Sequence, residues 1–221
     1  MTVLYEDNHI IIVAKSAGEI VQGDKTGDTP LSETVKAYIK EKYAKPGAVF
    51  LGVVHRLDRP VSGVVLFART SKALTRLNDM FRVGAVAKTY WALVQNTPQQ
   101  AEATLTHYIV RNEKQNKSYA YDHERASAKK AVLDYRLIGH SERYSLLEVH
   151  LHTGRHHQIR CQLAAIGCPI RGDLKYGAPR SNPDGSISLH ARSLRFEHPV
   201  THEEIYVEAP VPTEGPWKAF V

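Results

Sequence analysis

His55-Arg56-Leu57-Asp58-Arg59-Pro60-Val61-Ser62-Gly63 is the stretch around which the fold is organised. Apolar residues lie on both sides of it, so residues 50–55 and 61–68 are predicted to be strands joined by a tight turn. The turn places Asp58 between two arginines. A carboxylate kept ionised by neighbouring cations suits a nucleophile or a general base, whereas an Asp58 that only caps the turn is the structural alternative.

Further elements extend outward from this turn in both directions. Residues 3–6 and 9–14 have the composition of a hairpin, and more strands are predicted at 86–95, 104–110, 118–121, 128–138, 144–152 and 204–208. Helices are predicted from the N-cap Thr29 to about Tyr43, from the N-cap Ser71 through Phe81, and from Arg155 to Ile166. This pattern predicts an α+β fold with a mixed, mainly antiparallel central sheet and flanking helices and loops.

Composition limits the class of protein. The 221 residues contain 29 Lys and Arg against 23 Asp and Glu, and the charge is uneven, with −3 over residues 1–30, +13 over 31–195 and −4 over 196–221. A basic middle favours nucleic acid as the partner. No repeat or linker divides the chain, so a single domain over residues 1–221 is expected. Short apolar runs, two cysteines and an N-terminus without a leader predict a cytoplasmic protein with no membrane contact.

A second basic stretch is Leu151-His152-Thr153-Gly154-Arg155-His156-His157-Gln158-Ile159-Arg160. If Thr153 and Gly154 make the turn into the predicted helix, its free N–H groups and Arg155 can receive a phosphate. Arg160 is the natural partner for Asp58. The alternative is that both arginines belong to a solvated helix face.

The third segment is Val86-Ala87-Lys88-Thr89-Tyr90-Trp91-Ala92. Neighbouring strand residues point to opposite faces, so one of Tyr90 and Trp91 enters the core while the other faces a cleft. An aromatic ring beside basic residues suits stacking on an unpaired base. A core tyrosine with a satisfied hydroxyl is the alternative.

Four histidines, His150, His152, His156 and His157, raise the question of a metal site. The spacing disfavours one, because there is no His-Glu-x-x-His, no cysteine pair at ligand spacing and no carboxylate between Leu151 and Gly172. We therefore expect no metal ion. There is also no Gly-rich loop of the kinds that bind nucleotide cofactors.

Taken together, these segments resemble the RluA-type RNA pseudouridine synthases. The matching motifs are His55-Arg56-Leu57-Asp58 with Ser62-Gly63, Lys88-x-Tyr90-x-Ala92, Thr153-Gly154-Arg155-x-His157-Gln158-Ile159-Arg160, Gly167-x-Pro169-Ile170-x-Gly172-Asp173 with Tyr176-Gly177, and Leu189-His190-Ala191 with Phe196-x-His198-Pro199-Val200-Thr201. They follow the family's order over residues 10–210. The resemblance implies an isomerase that converts uridines of a structured ribosomal or transfer RNA to pseudouridine without cofactor or metal.

The resemblance also implies roles for single residues. Asp58 falls on the family's catalytic aspartate, Tyr90 on the tyrosine that stacks on the target uracil, and Arg160 on the arginine paired with that aspartate. Arg56 matches an arginine inserted into the space that the flipped base leaves. Whether Asp58 attacks the ribose, attacks the base or deprotonates the sugar stays open.

Two further cations, Lys15 and Arg155, are expected to bind RNA. Lys15 lies in Ala14-Lys15-Ser16-Ala17-Gly18, which lacks the proline usual in the family's first motif. The first strand begins near Val3, which leaves no room for the S4 domain of many relatives, and a monomer without an obligate protein partner is expected. Loops 111–118 and 171–186 are expected to select the RNA. A non-catalytic RNA-binding protein and a metal-dependent hydrolase are the alternative functions.

Overall fold

The computed structural model describes residues 1–220 and divides them into two compact units, residues 1–86 with 191–210 and residues 87–190 with 211–220. The helices are α1 (Leu31–Lys42), α2 (Ser71–Val83) and α3 (Gln158–Ala165). The strands are β1 (Thr2–Glu6), β2 (Ile10–Lys15), β3 (Gly52–Val53), β4 (Ser62–Ala68), β5 (Ala87–Val94), β6 (Glu102–Asn112), β7 (Lys117–Tyr121), β8 (Lys129–His140), β9 (Ser145–Leu151), β10 (Leu189–Glu197) and β11 (Glu204–Glu208). The predicted α+β class is confirmed, and the prediction of a single domain stays a prediction.

The first unit is built on the strand order β1-β2-β4-β10, with β3 beside β4 and β11 beside β10. β2 and β4 pair antiparallel, from Ile10 opposite Ala68 to Lys15 opposite Gly63. Both strands are buried along almost their whole length, which explains their continuous apolar sequences. One face of the pair packs with Leu77 of α2. The register brings Lys15 to the start of β4, where the Asp58 turn ends.

The second unit is an antiparallel meander with the strand order β5-β9-β8-β6-β7. One face of this sheet packs on α3, where Ile109 and Ala131 meet Cys161. Burial in this cluster raises the pKa of the Cys161 thiol to about 12, so the side chain behaves as a small apolar group. The other face carries Thr104 and Thr106 in exposed positions. This alternation is the pattern of a sheet with one solvated face.

The helix starts differ slightly from the predicted ones. Leu31 is the first residue of α1, so Pro30 is the N-cap rather than the first helical residue. Thr70 caps α2, and its side chain accepts a hydrogen bond from the Ala73 N–H. Strand β10 was not predicted, because its burial does not alternate and its apolar residues therefore lack period two. Among the described residues, no helix is long and apolar enough to cross a bilayer.

Candidate active site

Asp58 is half-buried in the turn that leads into β4. Its carbonyl oxygen accepts a hydrogen bond from the Val61 N–H at 3.0 Å, which closes the turn. Gly63, at the start of β4, has φ of +122°, and a Cβ there would lie 2.2 Å from the Ala191 carbonyl oxygen. Only glycine fits at this position. The predicted strand 61–68 is present as β4, whereas the predicted strand 50–55 is reduced to Gly52–Val53, and residues 54–61 join the two strands.

Lys15 lies underneath this turn and is 2% exposed. Its Nζ donates hydrogen bonds to the carbonyl oxygens of Val61 (2.6 Å) and Arg59 (3.1 Å), with a longer contact to that of Asp58 (3.4 Å). Burial lowers the pKa of Lys15 to about 8, while Glu19 and Asp58 act in the opposite direction. The structure thus places Lys15 beneath the turn that contains Asp58, where its ammonium is enclosed by backbone carbonyls instead of facing the solvent.

The segment after Lys15 holds the turn from the other side without the family's proline. The Ser16 N–H donates to the Glu19 carboxylate at 2.7 Å, and the Gly18 N–H donates to the Arg59 carbonyl at 2.8 Å. Gly18 has φ of +93°, which favours glycine. A side-chain hydrogen bond and a glycine therefore hold the loop where a proline would otherwise fix it.

The two arginines beside Asp58 lie in different environments. The Arg59 guanidinium donates hydrogen bonds to Asp28 at 2.6 Å and to Thr26 at 2.9 Å. Its partners are therefore in the separate loop 24–28. Arg56 is exposed. His55 accepts a hydrogen bond from the Leu66 N–H at 3.0 Å and stacks on Phe81. The segment is therefore anchored at both ends, with Arg56 and Asp58 between the anchors.

Tyr90 lies half-buried on β5, opposite Val149 of β9. Its neighbour Trp91 packs with Leu93 and Trp217 in a separate apolar cluster. Adjacent strand residues point to opposite faces, so Trp91 is the aromatic residue taken up by that cluster and Tyr90 lies on the other face. Lys88 shares the face of Tyr90, and burial lowers the pKa of Lys88.

Arg160 forms a buried bidentate ion pair with Asp173, with Nε–Oδ2 2.7 Å and Nη2–Oδ1 2.9 Å. Arg160 is 6% exposed and Asp173 is 1% exposed. The guanidinium also lies 5.1 Å from the centre of the Tyr176 ring. Asp173 was not predicted as a partner, although it lies in the motif Gly172-Asp173. The predicted pairing of Arg160 with Asp58 stays a prediction.

Helix α3 begins three residues later than predicted. The phosphate site expected at Thr153, Gly154 and Arg155 therefore does not lie at the start of the helix. His157 precedes the helix with φ of +52°, and the Gln158 side chain folds back on the turn of residues 153–155. Its Oε1 accepts hydrogen bonds from the Thr153 hydroxyl (2.8 Å) and the Arg155 N–H (3.0 Å). That N–H is therefore occupied. The Arg155 side chain is exposed and donates to the Lys130 carbonyl at 3.0 Å.

The four histidines that suggested a metal site are engaged in separate contacts. The contacts are His150 with Thr89 (3.2 Å), His152 with Asp134 (2.6 Å), His156 with Ser118 (2.8 Å) and His157 with Tyr176 (2.8 Å). Over residues 1–220, no group of three His, Cys, Asp or Glu side chains is arranged to hold a metal ion.

Comparison with known proteins gives a consistent result. A family model described as RNA pseudouridylate synthase matches residues 9–165. A Chlorobaculum parvum protein named as an uncharacterized RNA pseudouridine synthase is 33% identical, over 97% of this chain and 72% of its own length. The ribosomal large subunit pseudouridine synthase D of Xanthomonas campestris is 35% identical, over 97% of this chain and 67% of its own.

A solved structure resembles the chain at the level of fold. The human RNA pseudouridylate synthase domain containing 4 superposes with a TM-score of 0.79, covering 96% of this chain and 88% of that one at 24% identity.

Proposed function

This chain belongs to the RNA pseudouridylate synthase family and is an isomerase of that family, and on this premise we propose that Asp58 is its catalytic aspartate and that its substrates are uridines in ribosomal or transfer RNA. One observation carries the assignment of Asp58. The buried Lys15 ammonium binds the backbone carbonyls of the turn that contains Asp58. A loop held from below presents its carboxylate in a fixed position, which is what preorganised catalysis requires.

The reaction is an isomerisation of a uridine already in the RNA. The bond between N1 of uracil and C1′ of ribose breaks, the base rotates, and C5 bonds to C1′. The proton on C5 is lost and N1 gains one, so atoms balance without any oxidant or reductant. Asp58 acts covalently or by stabilising charge in this sequence, and Tyr90 stacks on the uracil and takes part in removing the C5 proton. Arg160 keeps Asp58 charged.

Access to the uridine requires that it leave the stack. Extruding a base from a duplex costs a few kcal/mol, and stacking on Tyr90 offsets part of this by about 1–3 kcal/mol. The exposed Arg56 occupies the space that the base leaves, and the exposed Arg155 contacts phosphate. We also propose that residues 1–221 work as a single catalytic domain, as a monomer and in the cytoplasm.

The decisive experiment is Asp58→Asn, with Asp79→Asn on the exposed face of α2 as the matched control. Both proteins are incubated with total RNA from cells that lack this gene, and pseudouridine is measured in separated ribosomal and transfer RNA by nucleoside mass spectrometry. We expect Asp58→Asn to form none while it still binds RNA, and Asp79→Asn to behave as the wild type. Full activity of Asp58→Asn would refute the assignment, and RNA binding without turnover in the wild type would favour a non-catalytic protein.

A further inference from the structure

The hairpin of β6 and β7, residues 108–121, which we call the tyrosine ribbon, has two different faces. Ile109 and Ala120 lie opposite each other and pack towards Cys161 of α3. Tyr108 lies opposite Tyr121 in the adjacent register position. Strand side chains alternate between faces, so these two tyrosines project together from the face that points away from α3. Tyr119 shares that face, opposite Val110.

Cations lie beside these rings on the same face. The Arg125 guanidinium is 4.0 Å from the centre of the Tyr121 ring, and Lys130 of β8 lies opposite Tyr108. Both Arg125 and Lys130 are exposed, whereas the tyrosine rings are half-buried. Six Lys and Arg residues outnumber three Asp and Glu residues between positions 108 and 130. The face therefore combines partly open aromatic rings with exposed positive charge.

This combination fits single-stranded nucleic acid better than a duplex or a protein. An unpaired base stacks on an aromatic ring whatever its identity, and neighbouring cations bind the adjacent phosphates. A paired base offers no free face to such a ring, and the excess of exposed cations beside the rings favours a polyanionic strand over a protein surface.

We propose that the tyrosine ribbon binds an unpaired stretch of the RNA substrate, with bases on Tyr108 and Tyr121 and phosphates on Arg125 and Lys130. The proposed reaction assigns its chemistry to Asp58, Tyr90 and Arg160, and the ribbon therefore contributes affinity and substrate choice. The proposal rests on the proposed function, because that function makes RNA the substrate.

The test compares two double variants of the ribbon with a matched control. Tyr108→Leu with Tyr121→Leu removes the rings, and Arg125→Gln with Lys130→Gln removes two exposed charges. Lys40→Gln with Lys45→Gln, exposed positions in and after α1, removes the same charge elsewhere. Fluorescence anisotropy measures the Kd of each protein for a labelled oligouridine strand and for an RNA duplex of equal length, over a range of salt concentrations.

We expect the tyrosine variant to bind the single strand at least about 5-fold more weakly, since stacking of one base alone contributes that much, and to lose less affinity for the duplex. The charge variant should lower the slope of log Kd against log salt by about 1.4 for the single strand, the value for two phosphate contacts. The control should match the wild type.

Ribbon variants that bind the single strand as tightly as the control would overturn the proposal, whatever their activity. Thermal unfolding verifies the fold of each variant. If the tyrosine variant unfolds, the charge variant still tests the proposal, because Arg125 and Lys130 are at exposed positions.

Activity distinguishes a failure of this proposal from a failure of the proposed function. With total RNA from cells lacking the gene, ribbon variants should raise KM and leave kcat unchanged. If the wild type forms no pseudouridine, the proposed function fails while the binding data still decide the role of the ribbon.

Discussion

Lys15→Met is the perturbation that tests most directly how the Asp58 turn is built. Methionine keeps the length of the side chain and removes the ammonium. The substitution leaves the carbonyls of Val61, Arg59 and Ser16 without the donor that lies 2.6, 3.1 and 3.0 Å away. Asp58 itself is unchanged. The turn that contains Asp58 would lose its support, and Asp58 would lose the nearby positive charge of Lys15, so a loss of activity would report these two effects together.

The size of the effect follows from two opposing contributions. Three hydrogen bonds from a charged donor stabilise by about 1.5–3 kcal/mol each. Burial of the charge acts against them, and the fall in the pKa of Lys15 from 10.5 to about 8 corresponds to about 3 kcal/mol. We therefore expect Lys15→Met to lower the free energy of unfolding at pH 7 by about 2–5 kcal/mol, or the melting temperature by roughly 5–15 °C.

The pH dependence of this difference has a definite sign. Between about pH 8 and pH 10.5 the folded protein has lost the Lys15 proton while the unfolded chain still holds it. The unfolded state binds more protons in this window, so the wild type gains stability from this group as the pH rises. The gain reaches about 3 kcal/mol at the upper end. Lys15→Met lacks the group, and the stability gap between the two proteins should widen over the same window.

Urea unfolding at pH 7, 8, 9 and 10 measures the gap, and single-turnover kinetics below the melting temperature measure the rate of pseudouridine formation. Lys40→Met, at an exposed position on α1, is the control for loss of a lysine. We expect Lys15→Met to have a lower single-turnover rate constant for pseudouridine formation, with little change in RNA affinity. If Lys15→Met is as stable as the control and the gap is constant with pH, Lys15 does not hold the turn in the way inferred from its contacts.

Three further predictions concern the same machinery. Gly63→Ala should destabilise the protein by more than about 2 kcal/mol in thermal unfolding, because the added Cβ would lie 2.2 Å from the Ala191 carbonyl oxygen. Gly23→Ala is the control and should be neutral, because a Cβ at position 23 has no atom within 4 Å. Arg160→Met should lose activity and about 3–5 kcal/mol of stability, because Asp173 is left buried without a partner; wild-type turnover in this variant would contradict the pairing with Asp58. Activity should persist in excess EDTA, since the proposed isomerisation needs no metal ion, and inhibition by the chelator would favour a metal-dependent enzyme.

The sequence predicted the elements that depend on local periodicity. The apolar runs of β2 and β4, the turn at Asp58 and the alternation of β6 and β8 follow from patterns of two to four residues. The start of α3 was misplaced, because Thr153-Gly154 is a plausible helix entry and nothing local shows that the Gln158 side chain folds back on Thr153. A contact of this kind depends on the whole turn, so periodicity does not report it.

The roles of buried cations were harder to predict for a physical reason. A lysine in a basic chain is expected at the surface, and Lys15 is instead enclosed by carbonyls from a turn more than forty residues away. Asp173 was missed as the partner of Arg160 because its surroundings are rich in glycine and indicate a loop. The carbonyls that bind Lys15 and the carboxylate that binds Arg160 can be identified only in the folded chain. In the sequence, Lys15 and Asp173 were marked only by the family motifs in which they lie.

The division between buried and exposed cations changes how the basic character of the chain should be interpreted. The excess of +13 over residues 31–195 includes Arg160, whose charge is already balanced by Asp173 in the interior. A cation paired in this way releases no counterion when RNA binds, because it never faced the solvent. The salt dependence of binding should therefore follow exposed cations such as Arg56, Arg125 and Lys130, and it should be smaller than the net charge suggests. Buried cations build the loops, and exposed ones provide the affinity.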